Sequence, residues 1–502
     1  MKIKNIKYVA LAAVFGMGAT SCDDFLDRPT EDNYNQSNFY QNDTQCVQGV
    51  NFLYNSPWYD FQRGFFKVGE VMSGNYYWGK SPYLDFTVNG TDQDLVNMSY
   101  SLWSVIAYCN TVYKTLQTAN CSENVRRQCM AECLSWKAMA YFYLARTFGA
   151  VPIVHDNSQE LAEDVIDNSG RKLMANYADI FRLQNNNCEE SLIGWRWDAA
   201  SGQYTAQNTL QSDLAMVGFD EFGDNWGGYN GPSIDLQLAF GVTPDQNPKD
   251  RDKSVIDTRR KATMMMAGDK YEYFWQDKGG FDYINFIYDK DGYGKGGPGE
   301  LQSPTGANEV KHLYGNANDH MKGLGVSAAS MSSSLSTHLL RLADVYLIYV
   351  EAVIGNQGST TDEKARDVFW QVRHRAVSEY KLPASVSWED VWKERRLELA
   401  CEGDRWYDFV RLSYYDSSRA INELVNQKRD VYDNLNTLYK SYYESGQTTW
   451  NATSDQHYTN NPKVPNVTKE SFTLPFPSED VVFNPNLMED PVHVDVRTEY
   501  SY

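Results

Sequence analysis

Three segments of this chain carry side chains suited to holding a polyhydroxylated ligand without making or breaking a bond. The first runs through Asn75, Tyr76, Tyr77, Trp78 and Gly79, with Pro82 and Tyr83 just beyond. The second holds Phe222, Asn225, Trp226, Tyr229 and Asn230 among glycines. The third holds Tyr271, Tyr273, Trp275, Phe281 and Tyr283. Tyr and Trp present flat apolar faces with a polar tip. A sugar ring stacks on such a face, while neighbouring amides and carboxylates meet its hydroxyls. Trp78 and then Trp275 are the leading candidates, with Tyr77, Tyr83, Trp226, Tyr229, Tyr273 and Tyr283 beside them. The other role open to the same rings is packing, pinning long loops to the body.

Other chemistries find less support. Asp289 and Asp291 followed by Gly294 and Glu300 stand at positions one, three, six and twelve of a calcium loop. Tyr293 occupies a ligand position, however, and Gly297 with Pro298 interrupts the later part, so a glycine-rich surface loop is the plainer reading and no metal is expected. None of the 66 acidic residues stands in a recognisable acid and nucleophile setting for glycoside hydrolysis. The seven histidines show no HExxH spacing, and neither GxSxG nor a P-loop occurs. No catalysis and no cofactor are expected. A net charge of −20 repels nucleic acid. A glycoside hydrolase and a peptide-binding repeat scaffold stay open as alternatives.

The N-terminus reads as a targeting segment. Lys2, Lys4 and Lys7 precede an apolar run over 8–19, too short for a lasting membrane span. Ala19, Thr20, Ser21 and Cys22 resemble a bacterial lipobox, in which the cysteine is acylated. Residues 1–21 are then the signal peptide, and the lipid on Cys22 anchors the chain to a membrane. Each buried methylene contributes about 0.8 kcal/mol, so several acyl chains hold firmly. Asp23, Asp24 and Asp27 resemble a surface-export signal.

The elements that must position these side chains are mainly helical. Apolar spacing by threes and fours predicts helices over 45–54, 95–118, 125–148, 161–167, 173–184, 233–240, 361–378 and 387–402. A strand is predicted over 191–197. Ser387 with Asp390 forms a capping-box pattern. Gly403 is a left-handed stop, and Asp404 is placed to cap a helix from Arg405. The helix after Leu339 is apolar on most sides, so its Arg341, Asp344 and Glu351 must pair, with groups around Glu394, Arg395 and Arg396 or with Arg405. Seven cysteines besides Cys22 are an odd number, leaving at least one outside any pair. They read as buried or incidental thiols.

Four stretches carry a family resemblance, in order: residues 138–154 (AMAYFYLARTFGAVPIV), 341–352 (RLADVYLIYVEA), 394–411 (ERRLELACEGDRWYDFVR) and 474–487 (LPFPSEDVVFNPNL). With the lipobox they resemble the RagB/SusD family of nutrient-uptake lipoproteins. That resemblance implies one domain over 22–502, with its core near 40–490. It implies a mainly α fold, in which tetratricopeptide-like helical pairs pack against a loop-rich ligand-binding side with a few short strands. It further implies a surface-exposed, outer-membrane lipoprotein that catalyses nothing, captures oligosaccharide and passes it to a TonB-dependent transporter of the SusC type. Peptide uptake is the alternative within the same family. One departure is visible: the chain after residue 155 reads as short by one helical pair.

Overall fold

The computed structural model describes residues 39–149, 158–219, 227–254, 257–289, 298–325 and 333–490. Cys22 and the targeting segment, Trp226 and Asp291 lie outside the described residues, as does the chain directly after residue 149 up to 157. The fold divides into two compact units, one from the chain up to Asn51 with Asn110–Leu134, the other from Phe52–Cys109 with the chain from Ser135 onward.

In the first unit, helix α1 (Asp43–Asn51) buries Cys46, Gly49 and Val50. The ring of Tyr40 lies so close to Gly49 that a Cβ there would meet a ring carbon at 2.4 Å. The unit also takes the end of α2 (Gln93–Leu116) and the start of α3 (Glu123–Phe148).

The second unit is built around α5 (Leu342–Ile354). This helix packs against α4 (Ser158–Asn168), α6 (Glu363–Ala376) and α7 (Trp388–Glu398). Leu342, Leu347, Val350, Val368, Val372 and Val391 share that core. The capping box of α7 forms as predicted: Ser387 Oγ accepts from the Asp390 amide at 3.1 Å, and the Ser387 amide donates to Asp390 Oδ2 at 2.9 Å. α8 (Arg405–Val425) follows a turn through Gly403, whose φ of +80° places it against Phe65 where no side chain fits. Asp404 stands at the N-cap position but makes no cap; its carboxylate accepts from Arg146 and, at 3.1 Å, from Arg395.

Six two-stranded antiparallel ribbons complete the described structure. β1 (Tyr76–Trp78) pairs with β3 (Asn230–Pro232), and β2 (Ser191–Trp195) with β8 (Thr337–Arg341). β4 (Met264–Met266) pairs with β7 (Ala307–Glu309), and β5 (Lys270–Tyr271) with β6 (Phe281–Asp282).

Two local expectations change. Leu339, Leu340 and Arg341 are strand rather than helix, because β2 takes their backbone into a ladder. Residues 173–184 form short 3₁₀ turns, Tyr177–Phe181 and Leu183–Asn185, instead of an α-helix. Asn176 accepts from the Ala178 amide and Asn185 Nδ2 donates to the Asp179 carbonyl at 2.9 Å, so polar side chains compete for the backbone there.

The expected charge pairing is present and larger than foreseen. Asp344 accepts from Arg395 at 2.5 Å and Glu351 from Arg411. Arg341 reaches Glu190 at 2.5 Å, Glu402 at 2.6 Å and Glu398 at 3.1 Å. Arg259 joins Glu394 at 2.6 Å to Glu398 at 3.0 Å. Burial pushes the Glu398 carboxyl up, but Arg375, Arg341 and Arg259 outweigh it and hold the group at about 2.

Candidate functional site

The β1–β3 ladder joins the first two aromatic segments. Trp78 stands opposite Asn230, and Tyr77 opposite Gly231. Gly231 has to be glycine, since a Cβ would lie 2.1 Å from the Ala307 carbonyl oxygen of β7. Through this register Tyr229, 59% exposed, stands one residue from the partner of Trp78.

Strand alternation separates the three β1 rings. Tyr76 points inward and is fully buried, with Phe66 packed edge-on at 4.9 Å. Trp78 is half-buried, 6.1 Å from the rings of both Tyr76 and Phe66. The Lys67 ammonium sits 5.1 Å from the Trp78 ring centroid and pairs with Asp94. Gly79 follows in a left-handed conformation, with open space where a side chain would project. Tyr77 is half-buried; burial raises its hydroxyl pKa, and the nearby Asp430 and Asp85 carboxylates raise it further. Lys463 pairs with Asp85. Trp78 and Tyr77 therefore lie on opposite faces of the ladder, and the cations near them, Lys67 beside Trp78 and Lys463 on Asp85, are already matched to carboxylates.

Lys67, Asp94, Asp85, Asp430 and Lys463 were not anticipated as neighbours. Asp430 and Lys463 come from a distant part of the chain, and no local pattern marks any of the five.

Of the remaining aromatic candidates, Tyr83 adjoins the same Lys67 ammonium, 5.9 Å from its ring centroid, and the others lie elsewhere. Tyr83 is fully buried, and its hydroxyl donates to Asp92 Oδ1 at 2.7 Å. Trp275 is 3% exposed, with Nε1 donating to the Phe219 carbonyl at 3.0 Å. Its φ of +53° is held by Asp319, which accepts from the Trp275 amide at 2.6 Å. Tyr283 is fully buried and donates to Asn308 Oδ1 at 2.9 Å. Trp275 and Tyr283 belong to one core with Phe219, Phe281 and Phe286. None of these three rings offers a face to a sugar; they pin loops, the packing role that the sequence also allowed. Tyr273 is half-buried beneath the Arg182 guanidinium, 4.2 Å from its ring centroid. Asp289 ends the short helix Tyr283–Tyr288, and Glu300 is exposed. Among the described residues, no group of His, Cys, Asp and Glu side chains is arranged to hold a metal ion.

A cleft of about 1060 Å³ opens on the helical side between α6, α7 and α8. Its charges satisfy one another: Arg396 pairs with Asp235 at 2.7 Å, and Arg419 with Glu389 at 2.6 Å. Its Trp392 is stacked on Trp388 and covered by Arg405. The Trp392 ring of the cleft is therefore already covered on its faces.

Residues 220–493 match the family model described as the SusD family, and residues 24–179 match one described as starch-binding associating with outer membrane. A SusD-like protein of Bacteroides ovatus is 28% identical, the similarity covering 98% of each chain. A crystal structure with xylogluco-oligosaccharide is 25% identical with a TM-score of 0.71, covering 89% of this chain and 99% of the other. A SusD-like carbohydrate-binding protein of Bacteroides fragilis shares the fold at 17% identity, with a TM-score of 0.61 over 89% of this chain and 99% of that one. No described helix is long and apolar enough to cross a membrane.

Proposed function

We propose that this chain, which belongs to the SusD family, is a glycan-capturing lipoprotein of the outer-membrane surface that passes oligosaccharide to a TonB-dependent transporter. The observation that supports the binding half is the part-open ring of Trp78 on β1, with the exposed Tyr229 next in sequence to its β3 partner Asn230. A similar protein crystallised with xylogluco-oligosaccharide supports the ligand class. The paired state of Lys67 and Lys463 favours a neutral glycan over an acidic one. An ammonium already matched to a carboxylate has little to gain from a second anion.

The membrane half rests on Cys22 and on the outer-membrane association in the matched family description. Acylation of Cys22 would hold the body at the surface without a spanning helix. Family membership supports the choice of a transporter as partner.

The test is retention of the purified protein on a panel of immobilised or gel-embedded polysaccharides, with xyloglucan and starch included and oligopeptides as the competing class. Binding of at least one neutral glycan, without release of reducing ends, is the expected result. Retention of oligopeptides alone would move the chain to peptide uptake, and release of reducing ends would make it a hydrolase.

A further inference from the structure

The first unit concentrates thiols. Cys46 on α1, Cys121 between α2 and α3, and Cys129 and Cys133 on α3 fall within it, and Cys46, Cys129 and Cys133 are each no more than 1% exposed. None of these four is in a disulfide. The ring of Tyr40 packs on Gly49, one turn along α1 from Cys46.

The segments carrying Cys46 and Cys121 are fixed to each other. The Asn120 amide donates to the Tyr40 carbonyl at 3.2 Å. The Ser122 amide donates to Asp43 Oδ1 at 2.6 Å, and its hydroxyl to Asp43 Oδ2 at 2.8 Å. These bonds come from both neighbours of Cys121 and clamp it to the first turn of α1. Cys46 stands one helical turn after Asp43, on the side of α1 that these bonds hold against the Asn120–Ser122 segment. Cys46 is enclosed and Cys121 half-buried, so one sulfur meets solvent and the other waits behind it.

We infer that Cys46 and Cys121 are a disulfide-forming pair, oxidised by an exogenous disulfide of the glutathione or thiol–disulfide oxidoreductase class. The Cys121 thiolate attacks one sulfur of the oxidant, forming a mixed disulfide and releasing the first oxidant thiol. The Cys46 thiol loses its proton to solvent, and its sulfur attacks Cys121 Sγ, expelling the second. Two cysteine thiols are oxidised and one oxidant disulfide is reduced to two thiols. Burial, together with the Cys121 contact, pushes the Cys46 thiol up to about 12, so the half-buried sulfur acts first.

The cross-link would tie α1 to the α2–α3 connection, closing the long intervening loop. An exported chain meets such oxidants, whereas a cytosolic one does not. The chemistry is read on thiols and is independent of any glycan, so its failure is separable from failure of the functional reading.

The experiment exposes the reduced, folded full chain to oxidised glutathione. Remaining thiols are then alkylated under denaturing conditions, and peptides are mapped without reduction. The expected result is a linked peptide pair containing Cys46 and Cys121, the loss of two alkylation sites, and a higher Tm. Cys121→Ser should abolish the link and Cys129→Ser should leave it. Full alkylation of both residues after oxidation, a glutathione adduct that persists on Cys121, or a link from either residue to Cys129 or Cys133 would overturn the pairing.

Discussion

The two sides of the second unit use polar and aromatic residues in opposite ways. Around α5 to α8, charges are buried and matched: Arg341, Arg259, Arg395 and their carboxylates are almost wholly enclosed. Around β1 and β3, aromatic residues are left partly open and the flanking charges stay near the surface. The contrast separates what holds the fold from what meets a ligand. An enclosed ion network stabilises only while every member keeps its partner. An open ring contributes little to stability and is available for binding.

That division can be broken most forcefully at Arg341. Arg341→Met leaves Glu190, Glu398 and Glu402 with reduced compensation, and urea unfolding should show a loss of roughly 3–5 kcal/mol. Arg373, which is part-exposed on Glu394, should cost about 1 kcal/mol or less when replaced by Ala.

Trp275→Ala is expected to destabilise by roughly 3–5 kcal/mol through the cavity it leaves, while the remaining folded protein keeps its glycan affinity. A loss of affinity at unchanged stability would return this residue to the binding surface.

Two buried carboxylates give the pH profile its direction. Burial raises Glu70 to about 7, against donation from Asn75 and the Gly403 amide. It raises Glu309 to about 8, against donation from the His312 amide. The unfolded chain releases these protons near the ordinary glutamate value, so between about 4.5 and about 8 the folded state holds protons that the unfolded state lacks. Stability therefore falls as pH rises through that window. Glu398, held at about 2, acts oppositely: its contribution is present above the ordinary value and is lost as pH falls toward 2. Tm should peak between these limits. Glu309→Gln should flatten the alkaline side, adding about 4 kcal/mol at pH 8. An unchanged slope in this variant would remove Glu309 from the explanation.

The smallest effect is expected at Tyr229. Replacement by Ala should leave Tm unchanged and weaken glycan binding a few-fold, about 1 kcal/mol by calorimetric titration.

The sequence was most readable where local chemistry decides the outcome. The Ser387–Asp390 box, the start of α7 and the pairing of Asp344 with the Glu394–Arg396 segment were visible as spacing and apolar periodicity, whereas α7 ends at Glu398, four residues before the expected end. The loop-side aromatics were not sortable in the same way. Trp78 and Trp275 sit in similar Gly-rich and Tyr-rich contexts, yet one is part-open and the other is core, because Phe219, Phe286 and Asp319 from other segments enclose Trp275. The start of α5 was misplaced for a related reason: Leu339 to Arg341 suit a helix locally, but β2 captures them. Lys67 and Asp94 beside Trp78 had no sequence signal, since their adjacency is made by the fold.

The central claim, that the part-open Trp78 ring on β1 captures glycan, is tested most directly by calorimetric titration of wild type and Trp78→Ala with the best-retained oligosaccharide. The expected result is an affinity loss of roughly tenfold or more, about 1.4 kcal/mol, in a variant that remains folded. Equal affinity for the two proteins would contradict it.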